Sequence, residues 1–185
     1  MGTLISLIFL SASAVLTAGA VAFLIGKFNF LVTLRRQIST EMLQFDFALR
    51  KQAAELRTMG GTFSWSQEGC RKSFFATLDQ AELLAHRAVA APLCDANLEG
   101  LAAAAGLVAS CWKEVAASED MRRTAGARLK SNAEMRGKIS GLVSHYGRQV
   151  RKFPCRWVAS ASGFARLSPG NGLFDKVNKE MLEPV

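Results

Sequence analysis

Charge is missing from the first 26 residues: the first cation is Lys27 and the first acid Glu41. Histidine is scarce as well. His86 and His145 are the only two, neither in an HExxH pattern and neither at metal-ligand spacing from a cysteine. There is no Walker loop, no GxGxxG opening a helix after a strand and no GxSxG elbow. The acids form no paired-carboxylate constellation. The sequence therefore offers no catalytic residue, no metal ligand set and no cofactor site, and it reads as a non-enzyme. Cys70, Cys94, Cys111 and Cys155 include no CxxC pair, so free thiols in a reducing compartment are expected. Strand-like alternation is absent too, which leaves an all-α class.

The uncharged run is the strongest positive signal. Leu4 to Ile25 holds only Leu, Ile, Val, Phe, Ala, Gly, Ser and Thr. As a helix its 22 residues reach about 33 Å, matching a hydrocarbon core of about 30 Å. Leu4, Leu10, Val15, Ala18, Ala22 and Ile25 sample this expected membrane span. A cleaved signal peptide is the weaker reading. No cation precedes the run, and the run is long, although Ala18-Gly19-Ala20 and Ala20-Val21-Ala22 resemble cleavage sites. Lys27, Arg35 and Arg36 follow the span. The positive-inside rule then places the N-terminus outside and the remaining domain in the cytoplasm. Ala14, Ala18, Ala22 and Gly26 recur every four residues. Such a stripe lets two spans pack closely, but small residues are also simply common in membrane helices.

Beyond the span, Phe28 to Thr58 contains neither Pro nor Gly. Leu31, Leu34, Ile38, Met42, Phe45 and Leu49 step by three or four, the helical period. Met59-Gly60-Gly61-Thr62 is expected to end that helix. A second is expected over about Trp65–Ala90, capped by Ser64 or Ser66, with Phe74, Phe75, Leu78, Leu83 and Val89 inward. A third runs over Leu98–Ala117 with Leu101, Leu107, Val108, Trp112 and Val115, and small residues at 102–106 invite close approach. A fourth, capped by Ser118, spans about Glu119–Phe153, weakened by Gly126, Gly137, Gly141 and Gly147. After Pro154 an irregular tail is expected, with a loop at 168–172 and a last short helix over Lys176–Leu182. The organisation is then a single transmembrane helix at 1–27, an antiparallel up-down bundle at 28–158 and a tail at 159–185. In that topology the fourth helix returns to the membrane.

Ten cations and three acids lie between Glu119 and Trp157, a surplus of +7 out of the chain's +8. A solvated cationic face, contact with anionic lipid and, as the weakest reading, nucleic-acid binding compete for this segment. At its end, Arg151, Lys152, Phe153, Pro154, Arg156, Trp157 and Phe164 combine cations with aromatics. Pro154 ends the helix by removing a donor and disfavouring helix at Phe153. The aromatics suit a headgroup layer, with the cations snorkelling beside them, or equally the closed end of a bundle core.

His145-Tyr146-Gly147-Arg148-Gln149-Val150-Arg151-Lys152-Phe153-Pro154, followed by Ala159 and Gly163-Phe164, resembles the C-terminal signature of the LemA family. The segment Gln44–Ala53 resembles the start of that family's helical domain. The chain departs from the pattern in three places, one of them Ile139-Ser140, where an earlier Tyr-Asn pair would fall. Gly147 stands where the family has Asn, and Ala54–Gly60 replaces an Asp-Leu-Ile-Pro-Asn-Leu-Val motif. The resemblance implies one N-terminal membrane helix, an antiparallel bundle and an N-terminus outside the cell. It brings no catalytic residues and no cofactor. The expected partners are membrane lipid and either a second copy or another membrane-associated protein.

Overall fold

The computed structural model describes residues 2–90, 93–116, 119–164 and 167. Its order is α1 (Gly2–Thr62), α2 (Glu68–Ala90), α3 (Asp95–Val115), α4 (Glu119–Arg151) and α5 (Cys155–Ala161), with no strand among the described residues. The fold is an all-α bundle built on one long helix that is apolar enough at its N-terminal end to cross a membrane.

α1 runs 61 residues without interruption, about 90 Å at 1.5 Å per residue. Its hydroxyls are bonded back along the helix: Thr17 Oγ1 donates to the Ser13 carbonyl at 2.8 Å and Thr33 Oγ1 to Asn29 at 2.9 Å. Inside the apolar run this bond leaves the Thr17 hydroxyl proton satisfied within its own helix. Beyond Lys27 the expected stripe of Leu31, Leu34, Ile38, Met42, Phe45 and Leu49 is wholly buried, and Ala53 and Leu56 extend it.

Cross-links fix the directions. Arg50 Nη2 lies 3.1 Å from His86 Nδ1, and Arg57 pairs with Asp79 and Glu82, so α2 is antiparallel to α1. Glu55 meets Arg128 and Glu41 meets Lys138, so α4 is antiparallel as well. α2 and α3 form a hairpin faced with small side chains. Ala81, Ala85 and Ala88 on one meet Ala102, Ala104 and Ala105 on the other. A Cβ added at Gly100 would stand 3.7 Å from that of Ala88.

Several boundaries differ from the sequence expectation. α1 continues through Gly60 and Gly61 to Thr62. Trp65 is not helical. Its Nε1 donates to the Gly60 carbonyl at 2.8 Å, satisfying an acceptor that the helix end exposes, while its ring rests on Phe63 and Phe74, each 5.0 Å away. α2 therefore starts at Glu68, beyond Ser64 and Ser66. α3 begins at Asp95, earlier than expected, and Leu83 faces solvent rather than the core. α4 passes Gly137 unbroken and ends at Arg151. Directly after Pro154 the chain is not irregular: α5 forms over Cys155–Ala161, so a boundary at 158 falls inside a helix. The proposed Ser118 cap, the 168–172 loop and the Lys176–Leu182 helix lie outside the described residues.

The bundle is uneven in height. The α2–α3 turn, through Leu93, sits against Ser39, Met42 and Leu43 of α1, about 18 Å beyond Lys27. α4 descends further, bringing the His145 ring to 6.3 Å from Phe30. α5 reaches Leu24, Ile25 and Phe28. Below the α2–α3 turn the described helices are α1, α4 and α5, which form a neck.

Candidate functional site: the cationic neck

Lys27, Arg35 and Arg36 come from α1, Arg148 and Arg151 from α4, Lys152 from the turn and Arg156 from α5. No Asp or Glu lies in residues 2–40 or 135–164. Every acid of the described bundle stands above this level. Charge is thus polarised along the bundle axis, a distribution the sequence presents only as a basic fourth helix.

That helix is less available than its count of cations suggests. Arg128 is tied to Glu55 at 2.8 Å and Lys138 to Glu41 at 2.6 Å. Arg136 is fully buried, and desolvation holds its guanidinium below its usual range. Arg136 belongs to the core instead of a basic face. No sequence period signalled this, because Arg136 sits among other cations of the same helix.

The neck ends in aromatics. Phe153 and Trp157 are 76% and 71% exposed and meet edge to face, with centroids 5.6 Å apart. Cys155 and Ala159, on the opposite side of α5, are buried. The residues of this stretch divide by exposure. Phe153, Arg156 and Trp157 point outward, while Phe164 turns inward and packs on Phe28 at 5.6 Å. Pro154 occupies the N-cap of α5, after a cis Phe153–Pro154 peptide. Gly147 also has a reason: a Cβ there would stand 3.1 Å from the Leu167 carbonyl, so the returning tail rests on it. Tyr146 is buried beneath, its hydroxyl pushed up by desolvation and pulled back partly by Arg35.

Two grooves follow one flank of α1. The lower, about 680 Å³, is lined by Leu24, Ile25 and Phe28 and by Trp157, Val158 and Ala161 of α5, with Ser160 and Ser162 at its edge. The upper, about 500 Å³, is lined by Val32, Arg35, Arg36, Ser39, Thr40 and Leu43, with Phe164 closing it. Leu10, Val15, Ala18, Ala22 and Ile25 of the span are exposed, as are Ala14 and Gly26; Leu4 lies in α1. Among the described residues no three His, Cys, Asp or Glu side chains converge as a metal site. All four cysteines are free thiols.

No protein-family profile, curated protein or solved structure matches this chain.

Proposed function

We infer that the chain is a single-pass, non-enzymatic protein of the inner membrane. Its cytoplasmic bundle is a scaffold held with the cationic neck against the anionic leaflet. One observation carries the reading: among the described residues, the end of the bundle adjoining the apolar run collects seven cations and no acid, beside two outward aromatics. Near such a leaflet each Lys or Arg gains about 1 kcal/mol, and exposed Trp suits the headgroup layer. The LemA-like residues, Tyr146, Phe153-Pro154 and Gly163-Phe164, fall on this same neck, so the resemblance and the charge point to one place. A long anionic polymer is less well served, because Arg128, Arg136 and Lys138 are engaged within the bundle.

Bromolipid quenching tests this. Trp65 and Trp112 lie near Gly60 and Gln52, more than about 35 Å beyond Lys27 along α1. In proteoliposomes of brominated lipid, quenching is expected to come from Trp157 and to vanish in Trp157→Phe. Undiminished quenching in that variant refutes the placement. Orientation is read from exposed Cys70: impermeant maleimide should label it only after the membrane is opened.

A further inference from the structure

We propose that the two grooves along α1 form one binding site for a single anionic phospholipid, with its acyl chain in the lower groove and its phosphate at Arg35 and Arg36. The inference deepens the membrane-surface reading and rests on it, yet differs from a diffuse attraction between neck and leaflet.

The two grooves share a face. Leu24, Phe28, Val32, Ser39 and Leu43 are separated by four or seven residues, which keeps them on one side of a helix. Together they cover about 28 Å of α1. Among the described residues the Phe28–Phe164 pair links them: Phe28 lines the lower groove and Phe164 the upper. Below the pair the walls are apolar and lie level with the end of the uncharged run. Above it Arg35 and Arg36 line the groove with Ser39, donors suited to phosphate oxygens, while Thr40, its hydroxyl bonded to the Arg36 carbonyl at 3.0 Å, forms part of the wall. Neither arginine pairs with a carboxylate among the described residues. The step from Phe28 to Arg35 is about 10 Å along the axis, to be bridged by the glycerol ester.

The fold explains why the upper groove is open. The α2–α3 turn stops at Ser39 and Leu43, so among the described residues neither α2 nor α3 covers the flank of α1 beneath it. Charge selects the occupant. With no acid among the described residues of the neck, a zwitterionic lipid gains less there than one carrying net negative charge.

The test uses the full chain, purified in a neutral maltoside detergent. It is titrated with dioleoylphosphatidylglycerol or dioleoylphosphatidylcholine and read by native mass spectrometry. One phosphatidylglycerol is expected to be retained, with at least tenfold preference over phosphatidylcholine. Arg35→Gln/Arg36→Gln should bring the two lipids close to parity. Arg151→Gln/Lys152→Gln should keep the preference. Thr40→Trp, which fills the upper groove from an exposed position, should weaken the adduct, and circular dichroism melts confirm that each variant is folded. No retained lipid, or preference unchanged in Arg35→Gln/Arg36→Gln, overturns the site. Preference lost only in Arg151→Gln/Lys152→Gln also overturns it, while leaving the surface reading intact. Failure of Trp157 quenching, by contrast, removes the membrane placement itself.

Discussion

The side-chain amides of Gln52 on α1 and Asn132 on α4 form a closed reciprocal pair inside the bundle. Gln52 Nε2 donates to Asn132 Oδ1 at 2.8 Å, and Asn132 Nδ2 donates to Gln52 Oε1 at 3.0 Å. Trp112 Nε1 from α3 donates to the same Gln52 oxygen at 3.3 Å. Three helices are thereby joined at one buried polar point.

Gln52→Leu should therefore be costly. It strands the Asn132 amide and the Trp112 N–H in the core, at about 1–3 kcal/mol for each unsatisfied group. Gln52→Leu/Asn132→Leu should recover part of that loss, because only the indole N–H is then left. Thermal melts of the full chain in detergent check the order. A double variant less stable than Gln52→Leu would show that the pair is not the controlling interaction.

Gly60 permits the α1–α2 turn. A Cβ there would lie 2.6 Å from Phe74 Cε1 and 3.4 Å from Phe75 Cζ. Phe74 is buried beneath Trp65 and has little room to retreat. Gly60→Ala should cost about 1–3 kcal/mol, and Phe74→Leu in the same chain should return some of it. A melt of Gly60→Ala indistinguishable from the parent would rule the clash out.

The glycines of α4 divide into two kinds. Nothing lies within 4 Å of a Cβ at Gly126, Gly137 or Gly141. Alanine at each should stabilise by about 0.5–1 kcal/mol, since it restricts the unfolded chain and suits a helix. At this chain length that raises the midpoint by about 2–4 °C per kcal/mol. Gly147→Ala should gain nothing, because the Leu167 carbonyl must give way. Equal gains at all four positions would contradict the close approach at Gly147.

Cys111 provides a pH signature. Burial, with Glu114 adding to it and a Ser110 hydrogen bond opposing, pushes the thiol up to about 11 from its usual 9.0. Because the folded value lies above the unfolded one, the stability it reports is complete below pH 9.0 and is lost as pH rises through about 11. The loss is about 2–3 kcal/mol at most. Tyr146, also raised by burial, adds in the same direction at higher pH. Cys111→Ala should flatten the fall in melting temperature between these limits. A slope identical to the parent's would exclude the thiol as its source.

How much of this was legible depended on the kind of signal. Periodicity found the α1 stripe residue by residue, because a long helix with large apolar side chains repeats the same message many times. It failed on α2, where three of five core positions are alanine and Leu83 faces water: packing distance, rather than hydrophobicity, selected them. Local turn chemistry overstated Gly60-Gly61, which the indole of Trp65 and the ring of Phe74 hold in helical form. The neck was half visible. Its cations and aromatics stood out in sequence, but the grooves depend on α5 lying against Leu24–Phe28 and on α2 stopping short. Both are tertiary outcomes.

Between Lys27 and Met59 the long first helix has no proline and no glycine, and therefore no evident hinge. It acts as a lever arm. Thr62 stands about 52 Å beyond Lys27, so with the apolar run placed in a bilayer as proposed above, a tilt change of about 10° would carry that end about 9 Å sideways. The ion pairs that tie α2 and α4 to Arg57, Glu55 and Glu41 of α1 would carry the bundle the same way.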